Sequence, residues 1–430
     1  MLDNYIRELI YNKKVLIMGF GREGRSTLRI LERIGGYDEI AISDINPVSD
    51  VNIPVFCGCD YQKAADDFEV IFKSPGVVLE DGAQSDKVIS QTDVIIHCYK
   101  ERMIGITGTK GKSTTTSLIF HVLEFAGKEP VLMGNIGIPA FDAIETITDN
   151  GIIVYELSCH QLEFAKESPS TGVLLNVYPE HLDHYGTFEK YKAAKENIYK
   201  NMLTSDCLVC GYEFTPDDFS GDLVTVSMNT EEADIVAEED LLRGHDFKLV
   251  PECNLFGVHN MYNIGIAYAV CSRFGVSLTE FSEALKNFKP LPHRLELFAE
   301  INGVQYFDDS ISTIPETTIK AISSIKNPGT LILGGMDRGI ELNSLSEYLI
   351  ENPVPNLILM PDTGLLLFEL LDGKCDSNII RVADLKEAAV VAKEITKPGL
   401  SCILSPAAAS YGFFKNFEER GDCFKNYITE

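Results

Sequence analysis

A lysine and a serine directly after a glycine-rich turn could bind the phosphates of a nucleotide. The turn lies in Gly105-Ile-Thr-Gly108-Thr-Lys-Gly111-Lys112-Ser113-Thr-Thr, between an apolar run and a helical pattern. Glycine lets backbone N–H groups close on phosphate oxygens, Lys112 can reach the β- and γ-phosphates, and the Ser113 hydroxyl can ligate Mg²⁺. Ile106 replaces the first glycine of the general G-x-x-x-x-G-K-[ST] pattern, but Gly-Lys-Ser and its context are intact. The sequence therefore predicts a phosphate-binding loop.

Three further ionisable residues could act beside this loop. Glu156 ends the apolar run IIVYE, and His181 follows the run TGVLLNV. Ligands bind at the carboxyl ends of parallel strands, so Glu156 could hold Mg²⁺, and His181 could ligate a metal or orient a phosphate. Either residue could equally be a solvated surface side chain. Lys195 lies on a predicted helix, Glu189–Met202, where by its type alone it is a solvated lysine.

A second glycine turn stands near the start of the chain. Gly19-Phe-Gly21-Arg-Glu-Gly24 fits G-x-G-x-x-G, and Asp44 follows about 20 residues later, where a ribose-binding acid is expected. The pattern fits a dinucleotide or a nucleoside diphosphate, and it also fits close helix–strand packing without a ligand. Another turn, Lys73-Ser74-Pro75-Gly76, follows a strand and could line the same crevice.

Short apolar runs alternate with helical patterns, which predicts an α/β protein with parallel sheets. Three domains are expected: residues 1–100, Rossmann-like; 101–292, with the phosphate loop, resembling a P-loop ATPase; and 293–430, again Rossmann-like. The proline-containing stretch Lys289–His293 is interpreted as a linker. Among the predicted strands is Val94–His97, whereas Thr215–Asp240 is expected to be a peripheral excursion.

The net charge, the apolar runs and the cysteine spacing disfavour several kinds of binding partner and site. The formal net charge of −27 disfavours nucleic acid and anionic membranes as partners. The chain has no apolar run of the roughly 18 residues that a membrane span needs, and no secretory signal is found, so a cytoplasmic protein is expected. Its eleven cysteines have no regular spacing. Cys207 and Cys210 lie in a strand-like run, which favours core packing over a metal site.

Several motifs, in order along nearly the whole chain, resemble the Mur ligases, closest to the members that add glutamate. They are GITGTKGKSTTT; GNIG at Gly134–Gly137; YELSCHQLE at Tyr155–Glu163; NVYPEHLDHY with YKAAKENIY; GVHNMYN at Gly257–Asn263; LPHRLE at Leu291–Glu296; and LSPAAASYGFFKNFEERG at Leu404–Gly421.

The resemblance implies roles for individual residues. ATP would contact Gly108, Thr109, Lys110, Gly111, Lys112, Ser113, Thr114, Asn260, Asn263, Arg294 and Asp309. The UDP-linked substrate would contact Arg22, Glu23, Asp44, Ser74, Asn135 and Ser158, which replaces the dinucleotide interpretation. Glutamate would contact Thr313, Arg338, Ser410, Tyr411 and Phe417. Two Mg²⁺ ions would be held by Ser113, Glu156, His181 and Lys195, the last of these carbamylated.

The chemistry implied is amide-bond formation through an acyl phosphate, as a step of peptidoglycan synthesis. The small-molecule substrates would be ATP, glutamate and UDP-N-acetylmuramoyl-L-alanine, and the protein is expected to be a monomer. Lys112, Glu156, His181 and Lys195 would be its catalytic residues. One departure concerns the family stretch Asp-Ser-Lys-x-Thr, which here is Asp309-Ser310-Ile311-Ser312-Thr313. In the family that lysine is expected near the glutamate carboxylates, and losing its charged hydrogen bond would weaken glutamate binding by about 1.5–3 kcal/mol. D-glutamate is the expected amino acid, and this departure keeps addition of L-glutamate open as the alternative.

Three other classes compete with this interpretation. A folate polyglutamate ligase would carry the phosphate loop near its N-terminus, but here about 100 residues with their own α/β pattern precede the loop. A non-catalytic nucleotide sensor would have no use for the set Glu156, His181 and Lys195. A general P-loop kinase or ATPase would have no use for the glutamate-like positions of the third domain.

Overall fold

A computed structural model describes residues 1–79, 85–136, 138–371 and 373–430. Gly137, the last residue of the GNIG motif, lies outside the described residues. The chain forms two compact units. The first contains Met1–Pro251 and Met261–Lys286, and the second contains Glu252–Asn260 and Asn287–Glu430. Among the described residues, none of the helices combines the length and the hydropathy that crossing a bilayer demands.

The N-terminal part of the first unit is a parallel five-stranded sheet in the order β3-β2-β1-β4-β5. Its elements are α1 (Leu2–Ile10), β1 (Lys14–Met18), α2 (Arg22–Ile34), β2 (Glu39–Asp44), β3 (Val55–Cys57), β4 (Val70–Lys73), β5 (Val88–Ile89) and α3 (Gln91–Tyr99). The chain leaves β1 towards β2 and β3, whereas β4 lies on the other side of β1. Such a switch point between β1 and β4 opens a crevice at the carboxyl ends of the strands.

One predicted strand of this region is wrong, because Val94–His97 belongs to helix α3. Ser90 caps α3 by accepting a hydrogen bond from the Asp93 backbone, and the Asp93 side chain accepts one from the Ser90 backbone in return. Val94, Ile95 and Ile96 are all buried, so the run is apolar around much of the helix rather than along one face. A fully buried helix and a buried strand give the same short apolar run in sequence.

The rest of the first unit is built on a nine-stranded sheet in the order β14-β13-β12-β11-β10-β9-β6-β8-β7. Its elements are β6 (Met103–Thr107), α4 (Lys112–Phe125), β7 (Pro130–Gly134), α5 (Ala140–Ala143), β8 (Ile152–Glu156), α6 (Cys159–Leu162), β9 (Thr171–Leu174), α7 (Leu182–Tyr185), α8 (Phe188–Glu196), β10 (Cys207–Gly211), β11 (Asp222–Ser227), β12 (Ile235–Ala237), β13 (Leu242–Gly244), β14 (Lys248–Leu249), α9 (Val258–Arg273) and α10 (Leu278–Lys286). The first residues of α9, up to Asn260, belong to the second unit.

Two expectations for this sheet change. The segment Thr215–Asp240 is not merely peripheral, because it supplies β11, which pairs in parallel with β10, and β12, which pairs in parallel with β11. The helix that carries Lys195 ends at Glu196, earlier than expected. Cys207 and Cys210 lie buried on β10 and form no disulfide, in keeping with core packing.

The second unit is a six-stranded sheet in the order β15-β16-β20-β17-β18-β19, in which only the β15–β16 pair is antiparallel. Its elements are β15 (Glu296–Ile301), β16 (Val304–Asp308), α11 (Pro315–Ser323), β17 (Pro328–Leu333), α12 (Asn343–Glu351), β18 (Asn356–Leu359), α13 (Thr363–Leu371), β19 (Asn378–Arg381), α14 (Leu385–Ile395), β20 (Ser401–Leu404) and α15 (Phe417–Thr429). The α/β class with three sheets is therefore confirmed. The limits 1–100, 101–292 and 293–430 stay predictions.

Candidate active site

The phosphate turn joins β6 to α4, as the sequence predicts. Gly108 and Gly111 have φ values of +158° and +87°, and at +87° a side chain would strain the backbone. Asn176 holds the turn through its side-chain oxygen, which accepts hydrogen bonds from the backbone N–H groups of Thr109 (3.1 Å) and Lys110 (2.8 Å). The sequence did not single out Asn176, although its position directly after a strand-like run was a usable signal.

Lys112 begins helix α4, and its ammonium group folds back over the turn. Nζ donates to the carbonyl oxygens of Gly108 (2.9 Å) and Thr109 (3.1 Å). Burial lowers the pKa of Lys112, while the neighbouring Glu156 opposes that shift. A half-buried cation at a glycine turn and a helix N-terminus is the arrangement that binds phosphate oxygens.

Glu156 lies at the carboxyl end of β8 and is completely buried. Its Oε1 accepts hydrogen bonds from the Asn135 side chain (2.7 Å) and from the Ser113 hydroxyl (3.3 Å). Its Oε2 is buried and has no hydrogen-bond partner among the described residues. An unpartnered carboxylate oxygen is costly in a protein interior. A hydroxyl and a carboxylate together are suitable ligands for Mg²⁺, so these residues fit the ion.

Lys195 lies on α8 and is 1% exposed, although its residue type suggested a solvated side chain. Its Nζ donates to the Gly108 carbonyl oxygen (2.8 Å) and lies 4.8 Å from the centroid of the Tyr191 ring. Burial, followed by the positive charge of Lys112, lowers the pKa of Lys195 to about 8. The structure thus brings Lys112, Ser113, Glu156 and Lys195 around one turn.

His181 lies beside Tyr191, a residue that contacts the phosphate turn. It caps α7 in the left-handed conformation (φ +53°), and its side chain is 47% exposed. Its ring lies 5.0 Å from that of His160 and 6.2 Å from that of Tyr191, measured between centroids. Tyr191 in turn shares a 2.9 Å hydrogen bond with Thr109 of the phosphate turn. His181 is therefore placed beside the turn, on an exposed loop.

The N-terminal glycine turn has the geometry of a ligand-binding crevice. Asp44 accepts hydrogen bonds from the backbone N–H groups of Phe20 (2.6 Å) and Asn46 (2.8 Å), and the Ser74 hydroxyl donates to the Gly19 carbonyl oxygen (2.7 Å). A Cβ atom at Gly24 would collide with that carbonyl group, so close packing also requires a glycine here.

Three other residues predicted for the UDP-linked substrate, Arg22, Glu23 and Ser158, lie around this crevice, whereas Asn135 lies on Glu156 beside the phosphate turn. Arg22 is exposed at the start of α2. Glu23 accepts a hydrogen bond from Gln161 (3.0 Å), and Gln161 also accepts one from the hydroxyl of Ser158, the N-cap of α6. Burial raises the pKa of Glu23. These side chains therefore link the crevice of the five-stranded sheet to α6, which follows β8.

The residues predicted to clamp ATP divide between the two units. In the first unit, Asn263 is buried with its side-chain oxygen against Gly111. In the second unit, Asn260 donates to the Phe256 carbonyl oxygen, and Arg294 follows His293 in the linker. Asp309 is buried, and its carboxylate accepts hydrogen bonds from the Leu295 N–H (3.0 Å) and the Ser405 hydroxyl (2.7 Å).

The residues predicted to bind glutamate surround the carboxyl edge of the six-stranded sheet. Ser410 is buried in a cavity of about 490 Å³ that is open to solvent and is also lined by Gly335, Met360 and Phe414. The carbonyl oxygen of Phe417 accepts a hydrogen bond from the Ser310 hydroxyl. The remaining three are less enclosed: Thr313 is half-buried, Arg338 is exposed, and Tyr411 is 57% exposed.

Arg420, which the sequence did not single out, organises this edge and also lines the cavity. It is 1% exposed, and its guanidinium donates to the Ser310 hydroxyl (2.9 Å), the Ser310 carbonyl (2.8 Å) and the Ala408 carbonyl (3.0 Å). Burial lowers the pKa of Arg420 to about 10. Its fixed fork therefore ties the loop after β16 to the loop after β20.

Among the described residues, one other cluster of possible metal ligands is formed by His293, Glu296 and Asp308 in the second unit. The ammonium of Lys425 lies 2.5 Å from Glu296 and 3.5 Å from Asp308. His293 Nδ1 lies 2.7 Å from Asp308. Because a lysine already supplies the positive charge, this cluster is an ion-pair network.

Known proteins resemble the chain over nearly its full length. The UDP-N-acetylmuramoylalanine–D-glutamate ligase of Clostridium tetani is 33% identical over 99% of this chain and 98% of its own length. The chain belongs to the Mur ligase family. The enzyme of the same name from Streptococcus agalactiae is 33% identical over 96% of both chains. Within the family, residues 106–271 match the Mur ligase middle domain. The chain is accordingly a ligase that forms a carbon–nitrogen bond.

Solved Mur ligases share the fold at low sequence identity. UDP-N-acetylmuramate–alanine ligase from Thermotoga maritima is 20% identical with a TM-score of 0.62, covering 97% of this chain and 99% of that one. MurF ligase from Thermotoga maritima, solved with ADP, is 17% identical with a TM-score of 0.61, covering 98% and 96%. These likenesses confirm the three-domain α/β architecture of the family.

Proposed function

We propose that this Mur ligase joins glutamate to UDP-N-acetylmuramoyl-L-alanine in the cytoplasm, with ATP as the energy source, in the synthesis of peptidoglycan precursors. The observation that carries the proposal is the group around the phosphate turn. Lys112 folds over the turn, and the Ser113 hydroxyl donates to one carboxylate oxygen of Glu156, whose other oxygen is buried without a hydrogen-bond partner among the described residues. The names of the relatives at 33% identity supply the substrates.

Binding of ATP is assigned to the turn Gly108–Thr114. The N-terminus of α4 and the ammonium of Lys112 attract the β- and γ-phosphates, and Lys112 exchanges its two backbone carbonyl contacts for phosphate oxygens. Asn176 keeps the turn open in the shape that the phosphates require. Alignment and charge neutralisation are the main contributions that a protein makes to phosphoryl transfer.

Two Mg²⁺ ions are assigned to Ser113, Glu156, His181 and Lys195. When bound, they neutralise charge on the phosphate oxygens. Lys195 becomes a ligand only after its neutral amine adds CO₂ and releases a proton, which gives a carbamate. The low pKa of Lys195, about 8 because of burial, favours the neutral amine that this step needs. The resulting negative charge also balances Lys112.

The reaction has two steps. The alanyl carboxylate attacks the γ-phosphorus of ATP, and the bond to the bridging oxygen breaks to give an acyl phosphate and ADP. The amine of glutamate then attacks the acyl carbon, phosphate leaves, and the amine loses a proton as the amide forms. Lys112 stabilises the charge on the transferred phosphate in the first step.

D-glutamate is proposed as the incoming amino acid, because the full-length relatives carry that substrate in their names. Ile311, in place of the family lysine, makes L-glutamate the competing candidate. Recognition is assigned to Thr313, Arg338, Ser410, Tyr411 and Phe417, with Arg338 as the positively charged member.

Phosphate release from ATP with UDP-N-acetylmuramoyl-L-alanine tests the proposal, with D- and L-glutamate assayed side by side. The expected result is release that depends on D-glutamate, with a product heavier than the acceptor by one glutamyl group. Release with L-glutamate alone would move the assignment to the competing candidate. Absence of turnover with both isomers would reject the ligase activity on this acceptor.

A further inference from the structure

A second buried lysine, Lys73, lies in the first unit and outside the phosphate turn. It is the last residue of β4, and its side chain is 3% exposed. Its Nζ donates to the Ser74 carbonyl oxygen at 3.4 Å, lies 3.9 Å from Glu163 Oε2, and lies 5.1 Å from the centroid of the Phe164 ring. Among the described residues, these are its close partners.

This ammonium group is poorly satisfied for its depth. An ammonium has three N–H donors, and buried charges are normally paired and hydrogen-bonded because desolvation is costly. Lys73 has one long hydrogen bond and an ion pair near the distance limit, whereas Lys195 has a 2.8 Å hydrogen bond. Burial lowers the pKa of Lys73, and Glu163 and Glu23 oppose that shift. Two N–H donors of Lys73 therefore have no hydrogen-bond acceptor among the described residues and can serve a further acceptor.

The position of Lys73 indicates which acceptor this is. Lys73 lies at the carboxyl end of β4, next to β1 and the Gly19 turn, and the Ser74 hydroxyl is bonded to that turn. The crevice at this switch point is where open α/β sheets bind ligands. Asp44 stands at the end of β2, on the far side of β1. A nucleotide whose ribose lies at Asp44 and whose phosphates extend towards β4 would bring its diphosphate to Lys73.

We propose that Lys73 is an anion-binding residue, which contacts the diphosphate of the uridine-diphosphate-linked substrate. The inference rests on the proposed function, because that function supplies a nucleoside diphosphate to the crevice. Both nearby carboxylates have partners of their own when Lys73 turns to the ligand. Glu163 Oε2 lies 3.3 Å from His184 Nε2, and Glu23 accepts the Gln161 hydrogen bond.

Calorimetric titration with UDP and with UDP-N-acetylmuramoyl-L-alanine tests the inference on full-length Lys73→Met, which gives an unbranched side chain of similar length without the charge. Loss of a charge-assisted contact should raise both Kd values by about tenfold or more. The Kd of a non-hydrolysable ATP analogue should change by less than about twofold, since that site is separate. Lys87→Met is the matched control, because Lys87 is a half-buried lysine that donates to the Phe68 carbonyl.

Glu163→Gln separates ligand binding from a structural ion pair. If Lys73 serves the ligand, removing its competitor should leave UDP binding as tight as in the parent or tighter. If Lys73 serves only to pair with Glu163, both variants should lower Tm and weaken UDP and the ATP analogue alike, which overturns the inference. Should Lys73→Met not fold, the direction of the Glu163→Gln effect on UDP binding decides alone.

The parent protein distinguishes failure of the inference from failure of the function. If Lys73→Met binds UDP as tightly as the parent protein does, the role of Lys73 is overturned and the ligase assignment stays intact. A parent that binds neither uridine nucleotide would overturn both.

Discussion

The phosphate turn and the carboxyl edge of the six-stranded sheet both contain buried charged side chains, but they differ in how those charges are hydrogen-bonded. At the turn, Glu156 Oε2 is buried without a hydrogen-bond partner among the described residues, and Lys112 and Lys195 donate to backbone carbonyls of the turn. At the edge, Arg420 and Asp309 hydrogen-bond closely to neighbouring groups of their own unit. Buried charges whose hydrogen bonds are incomplete indicate a ligand site, whereas buried charges fully hydrogen-bonded within their own unit indicate a structural role.

The comparison explains why amino-acid recognition is harder to locate than the phosphate site. Phosphate and metal chemistry needs charges that are desolvated before the substrate arrives, so the residues are buried and rigid. Most residues predicted to bind glutamate are instead partly or largely exposed on loops, as Arg338 and Tyr411 are. Arg420 holds two of those loops together from inside.

The largest expected effect is on Lys195→Ala. If the buried amine carries a carbamate ligand, kcat should fall by about 10²–10³-fold and should recover in part with added short carboxylic acids. Lys192→Ala is the matched control, because Lys192 lies on the same helix with its side chain 54% exposed. Full activity of Lys195→Ala would contradict the interpretation of the phosphate turn as a ligand site marked by incompletely hydrogen-bonded charges.

Arg420→Met tests the opposite character of the edge. The carbonyl oxygens of Ser310 and Ala408 would lose a buried donor, so local stability should fall by about 2–4 kcal/mol. Hydrogen–deuterium exchange of peptides around both residues measures the loss, with exposed Arg381→Met as control. Unchanged protection of those peptides, together with a kcat loss as large as that of Lys195→Ala, would make Arg420 a reaction residue rather than a scaffold.

The smallest effect concerns the pH dependence contributed by Asp309. Burial raises the pKa of Asp309 to about 6, above the roughly 3.9 of an exposed aspartate. The stability it contributes is therefore complete below about pH 4 and is lost as the pH rises through about 6. The unfolding free energy of Asp309→Asn, relative to the parent, should rise by about 1–3 kcal/mol between pH 4 and pH 7.

Urea unfolding at several pH values checks this prediction, with exposed Asp376→Asn as the control. A difference between Asp309→Asn and the parent that stays constant with pH would show that Asp309 is ionised at little cost. The contrast between the two regions would then rest on Arg420 alone.

Residue types and spacing determined the α/β class, the phosphate turn and the family of this protein. A strand followed by a glycine-rich turn and a helix is a local sequence pattern, and several family motifs in the right order are specific for the family. The same reasoning placed Val94–His97 in a strand, because a short buried run looks alike in both structures.

Tertiary structure alone decided which charged residues are buried. Lys192 and Lys195 share one helix and one residue type, yet only Lys195 is enclosed. Lys73, Asn176 and Arg420 each lay in or beside a sequence motif, but only the contacts of the folded chain show what their side chains bind. The physical reason is that desolvation depends on atoms brought together from distant parts of the chain, which spacing along one segment does not record.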